Sequence, residues 1–220
     1  FSILIPDSVT SIDKFAFMGC PLTSIVLSKN LHSLPDCVFY GNHLVSYTVP
    51  DNIQSLGTKV FGQLSDDVFD TPQNVNISAL TSIELSDNVT SIGDEAFSGL
   101  DKLVHIKLSS KLTELPDAAF ANNYSLKSVV IPMSVTKIGY KCFTGCPLDG
   151  EKVFKIPKNV EVIEIGAFGN CKALKEIILP PKLMYVDEKL AFEGCDNLKK
   201  IVYPKNYGNN IAFDDIYNDD

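Results

Sequence analysis

Six cysteines are the side chains best equipped for chemistry in this 220-residue chain: Cys20, Cys37, Cys142, Cys146, Cys171 and Cys195. An even thiol count can cross-link an exported fold by disulfides, and thiols joined by histidines can hold zinc. Cys142-x-x-x-Cys146 offers two zinc ligands at most, with no His near in sequence, whereas a structural zinc site needs four. His32, His43 and His105 fall at unrelated places. The chain contains no Gly-x-Ser-x-Gly elbow, no glycine-rich phosphate loop and no His-Glu-x-x-His helix. Carboxylates concentrate in turns, where Asp accepts from backbone N–H groups. Nothing here points to a catalytic residue, a cofactor or a metal, so the expectation is a protein that is not an enzyme.

The elements that position these residues follow from a repeat. Phe17, Phe39, Phe61, Phe97, Phe120, Phe143, Phe168 and Phe192 form one column, with gaps of 22, 22, 36, 23, 23, 25 and 24 residues. An aliphatic stands five residues before most of them, as at Ile12, Leu34, Leu115 and Ile163, and another three residues earlier, as at Val9, Leu31, Leu112 and Val160. Downstream comes an apolar alternation such as Leu103-x-x-Ile106-x-Leu108 or Leu174-x-x-Ile177-x-Leu179, often followed by Pro. Alternation over a few residues rich in Ile and Val is a strand, and Pro ends it because it has no N–H for the ladder. Each repeat therefore reads as a strand, a polar turn, a second short extended piece and a helical turn holding the Phe. One repeat cannot bury its apolar positions alone; stacked coils can, in one continuous core. About eight coils at about 4.8 Å each give a rod roughly 40 Å long.

The repeat also decides the cysteines. Cys20, Cys146, Cys171 and Cys195 each stand three residues after a column Phe, where other repeats carry Asn42, Leu64, Leu100 and Asn123. A position shared by Cys, Asn and Leu is a small buried site at a bend, where a thiol behaves as a small hydrophobe. Cys20 and Cys146 lie five coils apart, about 24 Å at strand spacing, which is beyond disulfide reach. Neighbouring pairs are nearer, but their stacked side chains point the same way. The thiols are expected to be free.

The pattern Ile-Pro-Asp-Ser-Val-Thr-Ser-Ile-x-x-x-Ala-Phe-x-x-Cys-x-x-Leu resembles the BspA-like leucine-rich repeat family. It is clearest over residues 5–20, 85–108, 131–146 and 156–179, and the likeness runs from about residue 3 to 204. The resemblance implies a repeat solenoid, a right-handed leucine-rich-repeat coil with a parallel β-sheet on the concave side. It implies a secreted or cell-surface protein that binds extracellular, host or matrix proteins in adhesion, and no catalytic residue. The expected organisation is a single solenoid over residues 1–205, with a loop insertion about 64–79, and an acidic cap or tail over 206–220.

Function then rests on the surface. Alternation turns one strand column outward: Val26, Thr48, Glu84, Lys107, Val130, Lys155, Ile178 and Val202. A second outward column contains His105, Ser128, Val153, Glu176 and Lys200. Lys127, Lys152, Lys175 and Lys199 share a further position, two residues before the strand centre. An apolar group at Val130, Ile178 and Val202, bordered by Lys155, Lys200 and these four lysines, has the arrangement of a protein interface. The same lysines could also meet an anionic glycan. The alternatives are an exposed sheet with ordinary β propensity and a solvated charged edge. The corresponding second function is a passive spacer that displays another domain at the cell surface.

Charge excludes other partners. The formal net charge is −8, and all 19 basic residues are lysines, so no guanidinium fork is present for phosphate or guanine. Nucleic acid is not expected as a partner, and no apolar run is long enough for direct membrane insertion by a helix in this segment. Residues 1–120 carry a net −8, residues 121–205 a net +4 and residues 206–220 a net −4. Phe1 to Ile5 reads as the strand of a coil whose first half is missing, so the chain is taken as a piece of a longer protein. Asn76, Asn88 and Asn123 stand in glycosylation sequons, relevant only in a secreted eukaryotic protein.

Overall fold

The computed structural model describes residues 1–63 and 79–205. The expected insertion at 64–79, apart from Ala79, and the expected cap at 206–220 therefore lie outside the described residues.

The chain winds through two rows of short parallel strands. In order they are β1 (Ser2–Leu4), β2 (Ser24–Val26), β3 (Ser33–Leu34), β4 (Ser46–Thr48) and β5 (Ser55–Leu56). Then come β6 (Ser82–Glu84), β7 (Ser91–Ile92), β8 (His105–Lys107), β9 (Glu114–Leu115) and β10 (Lys137–Ile138). The last are β11 (Phe154–Lys155), β12 (Val162–Ile163), β13 (Glu176–Ile178), β14 (Tyr185–Val186) and β15 (Lys200–Val202), with one short helix, α1 (Glu188–Ala191). The strands predicted from the alternating motif make the first row, and the second short extended pieces make the other. All pairings are parallel, between neighbouring coils, with like repeat positions opposite each other, as in Ser82↔His105 and Ile83↔Ile106.

Between the rows lies one apolar core running from Ile5 to Phe192. The Phe column is its spine. Phe97, Phe120, Phe143 and Phe168 are fully buried, and consecutive rings from Phe17 to Phe192 stack with centroids 5.1–6.0 Å apart. Offset stacking at this spacing adds to the burial itself. Phe17, near one end of the stack, is only half-buried.

The turn that carries each Phe is not helical, contrary to the sequence expectation, except at α1. Two positions in it are left-handed. Two residues before the Phe, Cys37, Lys59, Glu95, Ala118 and Lys141 have φ of 50–54°. Two residues after it stand Gly19, Gly41, Gly99, Asn122, Gly145, Asn170 and Gly194, all with positive φ. A helix cannot pass through such residues. The backbone bonds coil to coil instead: Phe97 N–H donates to Ala119, Phe120 to Cys142 and Phe143 to Ala167, at 2.7–2.9 Å. The last repeat has one extra residue between Val186 and Phe192, and there Asp187 caps a true helical turn by accepting from Leu190 N–H.

The first row is not continuous. It breaks into β1–β2, β4–β6–β8 and β11–β13–β15. Strands β4 and β11 are centred on Tyr47 and Phe154, where other strands carry an aliphatic, and each has lost its pairing to the preceding coil. Their rings pack 5.6 Å from Phe61 and Phe168 respectively, and a ring needs more depth than an aliphatic. The second row runs as β3–β5–β7 and β9–β10–β12–β14.

Candidate binding face

The outward column is real over the last three coils. Register places Lys155 opposite Ile178 and Ile178 opposite Val202, so these side chains stack on one face. Ile177 is buried beneath them, and Ile178 and Val202 are half-buried. Glu176 faces Lys200, whose Nζ lies 3.0 Å from Glu176 Oε1. Lys127, Lys152, Lys155, Lys175 and Lys199 are exposed and form no ion pair among the described residues. Lys199 N–H donates to the Lys175 carbonyl, which sets these two lysines side by side.

Val130 stands apart. It is 84% exposed, and neither it nor its neighbours Ser128–Ile131 join a strand ladder. The outward column is interrupted at this point. Lys127 C=O accepts from Gly150 N–H rather than from the strand beyond, so Lys127 is out of register with Lys152. Between Ser128–Ile131 and Val153–Pro157 opens a groove of about 560 Å³. Val129, Ile131, Phe154 and Ile156 line it, with Lys127, Lys155 and Lys158 at its edge. The groove was not foreseen from sequence, although a signal is present. The strand centre follows the preceding Leu by three residues in other repeats, as from Leu126 to Val129, but by six from Leu148 to Phe154.

The thiols occupy the bend sites assigned to them. All six are free; Cys142, Cys146 and Cys171 are buried and the other three half-buried. The Cys146, Cys171 and Cys195 thiols donate to the carbonyls of Phe120, Phe143 and Phe168, one coil back, at 3.0–3.2 Å. Asn42 does the same to Phe17 through its amide at 2.6 Å. At these four coils the shared position thus supplies a side-chain donor to the Phe carbonyl of the preceding coil, which both Cys and Asn can do. Burial pushes the Cys146 thiol up to about 12, and that of Cys142 well above its ordinary value. Asn123 is fully buried and accepts from Leu100 N–H at 2.8 Å, so its sequon is closed to a glycan in the folded chain. Asn88 is exposed but donates to the Asp51 carbonyl at 2.9 Å.

Among the described residues no cluster of three His, Cys, Asp or Glu side chains could hold a metal ion, and no helix is long and apolar enough to cross a membrane.

Stacked parallel coils around a Phe ladder define a leucine-rich-repeat solenoid of about eight turns. The model of the BspA type leucine rich repeat region, with six copies, matches residues 1–78, 75–148 and 149–216, and the chain belongs to this family. A solved leucine-rich repeat protein of T. pallidum is similar at 28% identity and TM-score 0.60, over 72% of this chain and 69% of that one. Leucine-rich repeat proteins of Bacteroides ovatus and Eubacterium ventriosum share 22% identity each, with TM-scores of 0.59 and 0.52, over 92% of this chain. The chain spans 60% and 59% of the length of those two structures. No curated protein matches it.

Proposed function

We propose that this chain is a non-enzymatic binding module acting outside the cell or at its surface, where it holds a partner protein on the face of the first strand row. Membership of a repeat family built from stacked coils supports a role in interaction, because such solenoids offer an extended surface and no enclosed cleft. The observation that carries the reading is Val130, 84% exposed and lining the groove with Lys127 and Lys155. An apolar centre with a charged border is how protein interfaces are organised. The in-register pair Ile178 and Val202 adds the apolar side chains of the next two coils, and Lys152, Lys155, Lys175, Lys199 and Lys200 add to the border. The lysines act mainly on encounter rate and the apolar side chains on dissociation.

The test is capture of extracellular proteins and anionic glycans from defined panels by the purified chain. Val130→Asp and Ile178→Asp should each abolish capture of a protein ligand. Changing Lys127, Lys152, Lys175 and Lys199 together to Ser should slow association and flatten its salt dependence. A clean negative across both panels overturns the reading in favour of a passive spacer.

A further inference from the structure

The first strand row lacks its ladder between Ser128–Ile131 and β11. Ser128–Ile131 has an extended sequence and follows the repeat, yet none of its four N–H and four C=O groups pairs with another backbone group among the described residues. On the far side of the groove, β11 bonds only to β13. The equivalent bond between coils elsewhere, such as Leu85 N–H to Lys107 C=O or Ile156 N–H to Ile178 C=O, has no counterpart from Ile131 to Lys155.

The opening is pinned around its rim. Gly150 N–H bonds Lys127 C=O at 2.8 Å before it, and the Asn159 amide bonds Met133 C=O at 2.8 Å after it. On the opposite side of these coils, the Phe143 ring sits 5.1 Å from Phe120 and 5.5 Å from Phe168, within the ordinary spacing of the stack. The coils are therefore fully stacked along the Phe column and parted only in the strand row. The extra residues Asp149–Glu151 and the Phe154 ring keep them parted.

We infer that this groove is an acceptor for an extended segment of a partner protein, four to six residues long, in which apolar residues alternate with Asp or Glu and which pairs as a strand with Ser128–Ile131 and β11. The inference rests on the binding role proposed above and names the partner's chemistry. Unpaired strand edges recognise another extended backbone, because their donors and acceptors lie in the plane of the sheet. Four residues span about 13 Å, which sets the length of the segment. Its inward side chains meet Val129, Ile131, Phe154 and Ile156, which select apolar residues. Its outward side chains meet Lys127, Lys155 and Lys158 against Glu151 alone, which selects acidic ones. Discrimination therefore comes from alternate side chains and affinity from the main chain.

The probe is a fluorescein-labelled peptide, Glu-Val-Asp-Val-Glu-Val, titrated into the 220-residue chain. Two companions are the same peptide with its valine amides N-methylated and one with Lys at every acidic position. Saturation with the acidic peptide should slow hydrogen exchange of the Val129 and Ile131 amides, which face β11 as Ile156 N–H faces β13, at least about tenfold, and leave Val130 unchanged. N-methylation should weaken binding about fivefold for each ladder bond lost. The paired change Lys155→Glu and Lys158→Glu, on exposed side chains that leave the core untouched, should weaken it about tenfold or more and reverse the preference between the acidic and lysine peptides. Binding without added amide protection, or indifference to N-methylation, overturns strand pairing. Failure of the peptide while Ile178→Asp still abolishes capture of a panel protein overturns the groove alone and leaves the binding role standing. A negative panel together with a bound and protected peptide leaves the groove standing and removes the Ile178 face.

Discussion

The Cys171 thiol donates a hydrogen bond to the Phe143 carbonyl oxygen, 3.2 Å away in the preceding coil. The same bond recurs one coil later from Cys195 to Phe168. A cysteine in this repeat is thus a small donor seated under a backbone carbonyl. The two stacked thiols also meet each other, and the Cys171 thiol holds the Cys195 thiol below its ordinary value while its own is raised.

Thiol labelling should follow that order. In the native chain at neutral pH, Cys195 should react before Cys171, Cys146 and Cys142, because it is half-buried and its thiolate is favoured. Unfolding without reductant should release close to six reactive thiols. Mass spectrometry of labelled peptides distinguishes the sites. Early labelling of Cys142, or a total near two, would contradict the reading.

The Phe ladder makes a second expectation quantitative. Phe120 is fully buried between Phe97 and Phe143, with centroids 5.5 and 5.1 Å away. Phe120→Ala removes both ring contacts and leaves a cavity that the rigid stack cannot close, so it should cost about 3–5 kcal/mol in urea unfolding. Phe17→Ala, at a half-buried ring near one end, should cost clearly less. Equal costs would mean that burial in the stack is not what holds the coils.

The left-handed residues after each Phe give a third. Asn122 has φ 60° at a place otherwise filled mostly by glycine. Asn tolerates this conformation and Val does not. Asn122→Val should lower stability by about 1–2 kcal/mol, whereas Asn122→Gly should stay within about 0.5 kcal/mol of the parent. Thermal unfolding of the two variants side by side measures the difference.

Much of this fold was legible because its determinants are local and repeated. The column from Phe17 to Phe192 announced the core, and the alternation around Ile106 and Ile177 announced the strands, since an error at one coil is corrected by the other copies. The turn was misread as helical because the Ala-Phe pair suits a helix by propensity. The Gly or Asn two residues after the Phe, as at Gly99 and Asn122, was the contrary signal: a left-handed position stops a helix whatever its neighbours prefer. The groove was missed for a different reason. Val130 looked like one more member of an outward column, and its isolation depends on three extra residues and a ring in the next coil, Asp149–Glu151 and Phe154. Pairing between coils is a property of two repeats, and a column of single residues does not carry it.

Acid should loosen the turns before it touches the core. Asp7 accepts from Lys29 N–H at 3.1 Å and Asp87 from Ser110 N–H at 2.9 Å, and these backbone bonds hold both carboxyls below the ordinary value of 3.8. Asp36 is lowered first by the Lys14 ammonium, with which it pairs at 2.5 Å, and then by Thr58 N–H. A carboxyl whose value is depressed on folding stabilises the native state in full above its unfolded value, and that contribution disappears as pH falls through the folded one. Stability should therefore be flat with respect to these three groups from neutrality down to about pH 4, and then decline below it. Replacing Asp7, Asp36 and Asp87 together by Asn should lower stability at pH 7 and flatten the decline between pH 4 and pH 2. Urea midpoints measured across that range decide the matter. If the parent and the triple variant lose stability in parallel, these inter-coil aspartates do not couple folding to protons.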